Sequence, residues 1–151
     1  MESLESLKAK LLQALAILKY MTTPYPFDTQ AHARHSVRVI CDEEQLSVEE
    51  KNLLCAVIMA ESGFKNQAKC LNKNKEGVVT STDWGVAQIN DFYHIGEGLT
   101  FPSVQYVLDN PDKVIRWMIK MYRRGRLGWW IAYKNGSYKK YLSQEYAKSL
   151  T

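Results

Sequence analysis

The feature that most constrains the fold is a helix with a marked beginning and a marked end, over residues 47–63. Ser47 and Glu50 have the spacing of a capping box, in which each side chain bonds the backbone amide of the other residue. Apolar residues then recur at helical intervals, and Gly63 supplies an end. Glu61 lies in the last turn, directly after an apolar run. Its carboxylate is therefore either a solvated helix end or an acid whose pKa is raised by apolar neighbours.

The rest of the chain predicts further helices and one short β element. Apolar residues recur at three- and four-residue steps over 3–20 and 30–45, and Asn110 followed by Pro111 marks the beginning of another helix. β-Branched residues dominate 78–82, which predicts a strand within a small hairpin or sheet. A chain of 151 residues has the length of one domain. We therefore expect an α+β fold that is predominantly α-helical.

Charge is unevenly distributed along the chain. Residues 113–148 hold ten Lys or Arg and one acid, Glu145, which gives this segment a charge of +9 in a chain of formal net charge +4. Such a segment favours a polyanionic partner, such as anionic cell-wall polymers, a membrane surface or nucleic acid, or it is a solvated helix face. Nothing in the sequence supplies base-reading chemistry, so we expect no nucleic-acid partner.

The N-terminal residues indicate neither a transmembrane segment nor a signal peptide. No apolar run approaches the ~20 residues that span a bilayer, so we expect no transmembrane segment. Within residues 1–21, two glutamates precede the apolar stretch at 11–18, and no clear cleavage site follows that stretch. We therefore interpret residues 1–21 as an amphipathic helix rather than a signal peptide.

Cys41, Cys55 and Cys70 have no metal-binding or paired spacing. Cys41 and Cys55 lie in apolar helical runs, which predicts buried thiols.

Glu61 and Asp83 are two carboxyl groups on different elements, one at a helix end and one directly after the predicted strand. This placement suits the two walls of a cleft. Cleavage of a glycosidic bond needs one carboxyl group that stays protonated to donate to the leaving oxygen, and another that stays ionised beside the oxocarbenium-like centre. Apolar neighbours favour the first role for Glu61, and polar neighbours favour the second for Asp83. By residue type alone, the pair could also be two solvated surface groups.

Four segments, in the same order, resemble the animal c-type lysozymes. Residues 81–90, STDWGVAQIN, are similar to the STDYGILQIN segment of that family, and ESGF at 61–64 is similar to its ESNF. Residues 66–68 and 72–77 resemble the segments between those motifs, and WWIAYKN at 129–135 resembles AWVAWRN. ESGF and the pair Ala132-Tyr133 also resemble bacterial lytic transglycosylases of the same superfamily.

The resemblance covers roughly residues 50–142 and implies a lysozyme-like fold with a small β-sheet beside an active-site cleft. We therefore expect residues 1–45 to form an N-terminal helical extension and residues 46–151 to form the catalytic domain. We expect no cofactor, and we expect no metal because neither the cysteines nor His32, His35 and His94 have the pattern of metal ligands.

The resemblance also implies the site residues and their roles. Glu61 matches the general acid of the family, and Asp83 matches the nucleophile or ion stabiliser. Trp130 matches the tryptophan that packs on the acid. The other positions predicted to bind substrate are Asn74, which matches an asparagine that helps to hold the aspartate, and Gln88, Asn90, Tyr93 and Tyr133.

Two departures from the c-type pattern favour a bacterial or phage member. Tyr93-His94 stands where that family has two tryptophans, and three cysteines cannot form its four disulfides. We expect a monomer that acts at the bacterial cell wall on peptidoglycan glycan strands, for example as a phage lysin.

Four functions follow as hypotheses. The first is a muramidase that hydrolyses the β-1,4 bond after N-acetylmuramic acid. The second is a lytic transglycosylase, in which the muramic 6-hydroxyl replaces water and an anhydro product forms; Asp83 favours the first. The third is a non-catalytic binder of glycans or proteins with the same fold, and the fourth is a nucleic-acid binder that uses the basic segment.

Overall fold

The computed structural model describes residues 1–22 and 24–150, without the side chains of residues 16 and 19–22. The predicted α+β fold, predominantly helical with a small antiparallel sheet, is confirmed. The α-helices are α1 (Leu4–Thr22), α2 (Gln30–Glu43), α3 (Val48–Ser62), α4 (Asp91–His94), α5 (Val104–Asp109), α6 (Pro111–Arg123), α7 (Ile131–Lys134) and α8 (Lys139–Ser149). The strands are β1 (Lys69–Lys73), β2 (Val79–Trp84) and β3 (Ile89–Asn90), and a 3-10 helix spans Leu127–Trp129.

The three strands form one antiparallel sheet in the order β1-β2-β3. Asp83 in the central strand pairs with Cys70 on β1 and with Asn90 on β3. In the turn between β1 and β2, the side-chain oxygen of Asn74 accepts hydrogen bonds from two backbone amides of the turn. The strand predicted over 78–82 is therefore β2, and β1 supplies its hairpin partner.

The local signals that predicted α3 have the expected contacts. Ser47 and Glu50 form the capping box in full, and Gly63 ends the helix in a left-handed conformation. Pro111 is the first residue of α6, as predicted. Asn110 is the N-cap residue of α6, but its side chain makes no capping hydrogen bond and donates instead to the carbonyl of Tyr106 in α5.

The hydrophobic core joins α2, α3 and α6. α2 contributes Val37, Ile40 and Cys41, which are fully buried, as the sequence predicted for Cys41. A domain boundary was expected between residues 45 and 46, which lie between α2 and α3. Helices on both sides of this position contribute to the same core, since the apolar stripe of α2 packs against α3 and α6. In α1, by contrast, the large apolar side chains that the structure describes are exposed. No helix within the described residues is long and apolar enough to cross a bilayer.

A buried ion cluster joins α8 to α2. The carboxylate of Glu145 is 1% exposed; one of its oxygens pairs with Arg34, and the other lies 2.7 Å from Nη2 of Arg38. Removing either partner from such a cluster leaves an uncompensated buried charge. Glu145, the one acid of the basic segment, is therefore not part of its exposed surface. Within that segment, Arg116 and Arg123 pair with glutamates near the end of α2.

Candidate active-site cleft

Glu61 lies in the last turn of α3, immediately before a chain reversal that joins the helix to the sheet. Gly63 and Phe64 both have a φ angle of 62°, which glycine adopts readily and other residues adopt at a cost. The reversal places the Phe64 ring in the core, where it is fully buried. The hydroxyl of Ser62 donates to the carbonyl of Val86, in the turn after β2. The end of α3 is thus held beside the strand that carries the second carboxylate.

Asp83 lies on a polar face of the sheet and is held by two side-chain amides. Nδ2 of Asn72 is 3.1 Å from its Oδ2, and Nδ2 of Asn90 is 2.9 Å from its Oδ1. Both amides also lie 3.1 Å from Oγ of Ser81. Paired residues, and residues two apart on a strand, share one face of a sheet, so the register itself assembles this cluster. Each oxygen of Asp83 therefore has a fixed donor.

The surroundings of Glu61 differ in kind from those of Asp83. The backbone amide of Ala132, in α7, donates to Oε1 of Glu61 at 2.9 Å. Burial raises the pKa of Glu61 above its ordinary value; the Ala132 hydrogen bond opposes this shift, and the charge of Asp83 adds to it. Glu61 therefore holds its proton to a higher pH than an exposed glutamate does, which is the property required of a general acid near neutral pH.

Glu61 and Asp83 line one cleft with a volume of about 580 Å³. A cleft of this size is typical of binding sites for small molecules or short segments of a polymer. The lining side chains include no Lys or Arg. They are Glu61, Asn72, Ser81, Asp83, Gln88, Ile89, Asn90, Tyr93, His94, Trp117, Trp129, Trp130 and Ile131.

Four of the lining residues, His94, Trp117, Trp129 and Trp130, form an aromatic cluster. The Trp117 ring centroid lies 5.0 Å from that of His94 and 5.8 Å from that of Trp130, and His94 lies 5.4 Å from Trp129. Trp130 is almost fully buried, and its indole nitrogen donates to the carbonyl of Ala87 at 2.7 Å. Burial lowers the pKa of His94, which favours the neutral imidazole.

Six of the eight predicted site residues line the cleft. Besides the two carboxylates, these are Gln88, Asn90, Tyr93 and Trp130. Gln88 also shapes the turn after β2, because it has a φ angle of 52° and its side-chain amide donates to two carbonyl groups nearby. Phe64, expected beside Glu61 as a source of apolar surface, lies in the core and is not a lining residue.

Two predicted site residues lie elsewhere. Asn74 was expected to help hold Asp83, but this is wrong, because its side chain caps the hairpin turn. Asn72, two residues earlier and on the same face as Asp83, makes that contact. Tyr133 does not line the cleft; its ring stacks on Tyr138 with a centroid distance of 5.3 Å.

Several lining residues were not among the predicted ones. Asn72 and Ser81 could have been found from the hairpin register, since Asn72 lies two residues from Cys70, which pairs with Asp83, and Ser81 lies two residues from Asp83 on the same strand. The sequence gives no such signal for Trp117. It lies three residues after the buried Val114 on α6, so helical periodicity predicts a core position instead of a cleft position. The remaining members of this group are Ile89, His94, Trp129 and Ile131.

Comparison of the chain with protein-family models gives no match, and comparison with curated proteins gives no significant match. The described residues also contain no group of three or more His, Cys, Asp or Glu side chains that could hold a metal ion.

Proposed function

We propose that this chain is a peptidoglycan-cleaving glycosidase of the lysozyme type, with Glu61 as general acid and Asp83 as the second carboxylate. One observation carries the proposal: two carboxyl groups line the same cleft in opposite surroundings. Glu61 is partly buried and bonded by one backbone amide, whereas both oxygens of Asp83 accept hydrogen bonds from side-chain amides. Glycosidic cleavage requires this division of roles.

The reaction begins with proton transfer from the Glu61 carboxyl group to the glycosidic oxygen, while the bond from that oxygen to the anomeric carbon breaks. Positive charge then develops at the anomeric carbon, and the Asp83 carboxylate stabilises or traps it. Glu61, now ionised, takes a proton from the incoming water as the oxygen of that water bonds to the anomeric carbon, and where Asp83 has trapped that carbon, the bond to Asp83 breaks in the same step. Glu61 returns to its protonated form, and one water is consumed for each bond cleaved.

The lining of the cleft supports a sugar polymer as the substrate. Sugar rings have apolar faces and polar edges, and the cleft offers the rings of the aromatic cluster together with the side-chain amides of Gln88 and Asn90. Tyr93 is 68% exposed at the edge of the cleft and is free of core packing, so its ring can contact a further sugar unit. The four sequence segments that resemble the c-type lysozymes make peptidoglycan the best-supported polymer.

A lytic transglycosylase is the nearest alternative, because it would use the same general acid. In that reaction the 6-hydroxyl of the muramic unit attacks the anomeric carbon and no water is consumed. The fixed carboxylate of Asp83 favours hydrolysis, since the lytic transglycosylases that the sequence resembles usually lack a second carboxylate.

The test is digestion of purified peptidoglycan, followed by mass spectrometry of the soluble fragments. Hydrolysis yields fragments with reducing ends, each heavier by one water than the anhydro product. Anhydromuramic ends at every cut would overturn the hydrolase assignment. Glu61→Gln should lower the rate by about 100-fold or more, the usual contribution of general acid catalysis. Glu49→Gln, which changes an exposed glutamate of the same helix, is the matched control.

A further inference from the structure

Arg126 is a cation at the rim of the cleft, between α6 and the 3-10 helix. Its side chain is exposed, and its guanidinium carbon lies 5.1 Å from the ring centroid of Trp129, a lining residue. Within the part of the chain that the structure describes, Arg126 makes no ion pair, whereas Arg116 and Arg123 pair with Glu43 and Glu44. Arg126 therefore has its donors available to a bound anion.

The charge distribution in the cleft limits where an anionic group of a substrate can lie. The formal negative charges of the lining belong to the two carboxyl groups, and no Lys or Arg lines the cleft. A substrate carboxylate near Asp83 would be repelled, because like charges a few ångströms apart are unfavourable at any effective dielectric constant. Arg126 offers attraction at the Trp129 end of the cleft.

The guanidinium is also well suited to a carboxylate. It presents planar, parallel N–H donors that match two carboxylate oxygens, and such charge-assisted pairs are stronger than neutral hydrogen bonds. The contact with the Trp129 ring restricts the side chain before any substrate binds, so less rotamer entropy is lost in binding.

We propose that Arg126 determines specificity by binding a carboxylate of the glycan at the Trp129 end of the cleft. The inference rests on the proposed function and refines its substrate class to glycans that bear carboxylates, as opposed to neutral polymers of N-acetylglucosamine. The carboxylate belongs to the attached peptide, because the lactyl carboxyl group of a peptide-bearing muramic unit forms the amide bond to that peptide. Arg126 takes no part in proton transfer.

The test compares kcat/KM of the full chain, Arg126→Gln and Arg124→Gln on three glycans. These are peptide-bearing peptidoglycan, the same material with its carboxylates converted to neutral amides, and peptide-free glycan strands with free lactyl carboxylates. Arg124→Gln is the matched control, because it removes the same charge from an exposed arginine two residues away, for which the described residues show no cation–π contact with a lining ring.

We expect Arg126→Gln to lower kcat/KM on peptide-bearing peptidoglycan about fivefold, the effect of a partly exposed ion pair. It should not affect cleavage of the amidated material, and Arg124→Gln should match the unaltered chain on all three glycans. The loss on the peptide-bearing glycan is due to a peptide carboxylate, and an additional loss on the peptide-free glycan would show that Arg126 also binds a free lactyl carboxylate.

Equal effects of the two variants on peptide-bearing peptidoglycan would overturn the inference, as would an equal loss for Arg126→Gln on the amidated glycan. Either result would leave the proposed function intact as long as the unaltered chain cleaves peptidoglycan. If the unaltered chain cleaves none of the three glycans, the proposed function fails. In that case, dissociation constants of the unaltered chain, Arg126→Gln and Arg124→Gln for the three glycans replace kcat/KM, and the two comparisons above decide the role of Arg126.

Discussion

The backbone amide of Ala132 donates a 2.9 Å hydrogen bond to Oε1 of Glu61 and joins the last turn of α3 to the first turn of α7. The bond favours the ionised carboxylate, whereas burial favours the protonated form, and burial has the larger effect on the pKa. Exclusion of water therefore sets the direction of the pKa shift, and the backbone of α7 sets the position of the carboxyl group.

The rate of peptidoglycan cleavage is expected to fall as the pH rises through the raised pKa of Glu61. Only the protonated carboxyl group can donate to the leaving oxygen, so the falling limb of the pH profile reports that pKa. Initial rates measured from about pH 4 to about pH 9 locate the limb. A limb near pH 4.3, the ordinary value for glutamate, would contradict the role given to burial.

Glu61→Gln is expected to raise the melting temperature at neutral pH and to leave it unchanged at low pH. The raised pKa of Glu61 means that its contribution to stability is fully present below the pKa of the unfolded chain, and is lost as the pH rises through the pKa of the folded protein. Glutamine does not titrate and can still accept the Ala132 hydrogen bond.

Calorimetry of the full chain and of Glu61→Gln at about pH 3.5 and about pH 7.5 measures this difference. Glu49→Gln removes a charge from the exposed side of the same helix and serves as the control. A gain in melting temperature of the same size at both pH values would contradict the prediction, because it would show that ionisation of Glu61 does not lower the stability of the folded protein.

Local signals were sufficient for the helices but not for all contacts of the site. The capping box at Ser47 and the glycine at 63 predicted α3, and with it the position of Glu61, because both depend only on neighbouring residues. The partner of Asp83 depends on the hairpin register, so matching motifs by sequence alone selected Asn74 instead of Asn72. Trp117 reaches the cleft through the packing of α6, which periodicity does not describe.

The difference between the two asparagines gives a third prediction. Asn72→Ala should lower kcat about tenfold, because it removes a hydrogen bond to a charged group worth about 1.5 kcal/mol. Asn74→Ala should leave kcat unchanged and lower the free energy of unfolding by about 1 kcal/mol, since it removes the cap of the hairpin turn. Steady-state kinetics and urea unfolding of both variants measure these effects. The opposite assignment of the two effects would show that the register is wrong.

The ion cluster between α8 and α2 is expected to be essential for stability. Glu145→Ala should lower the free energy of unfolding by about 3–5 kcal/mol, because Arg34 and Arg38 would remain largely buried without their counter-charge. Gln144→Ala, at an exposed position next to it, should change stability by less than about 0.5 kcal/mol. Urea unfolding of the two variants provides the comparison. A change below about 1 kcal/mol for Glu145→Ala would mean that water reaches the cluster.

The three thiols are expected to differ sharply in reactivity. Cys41 and Cys55 are fully buried, and burial raises the pKa of both, to about 11 for Cys55. Cys70, on β1, is exposed. The thiolate is the reactive form, so both burial and a raised pKa slow modification. A thiol reagent at about pH 8 should therefore modify one cysteine in the folded chain and three in denaturant. Cys70→Ser should abolish the reaction of the folded chain, and a thiol that still reacts in this variant would show that the α2–α3 interface opens to solvent.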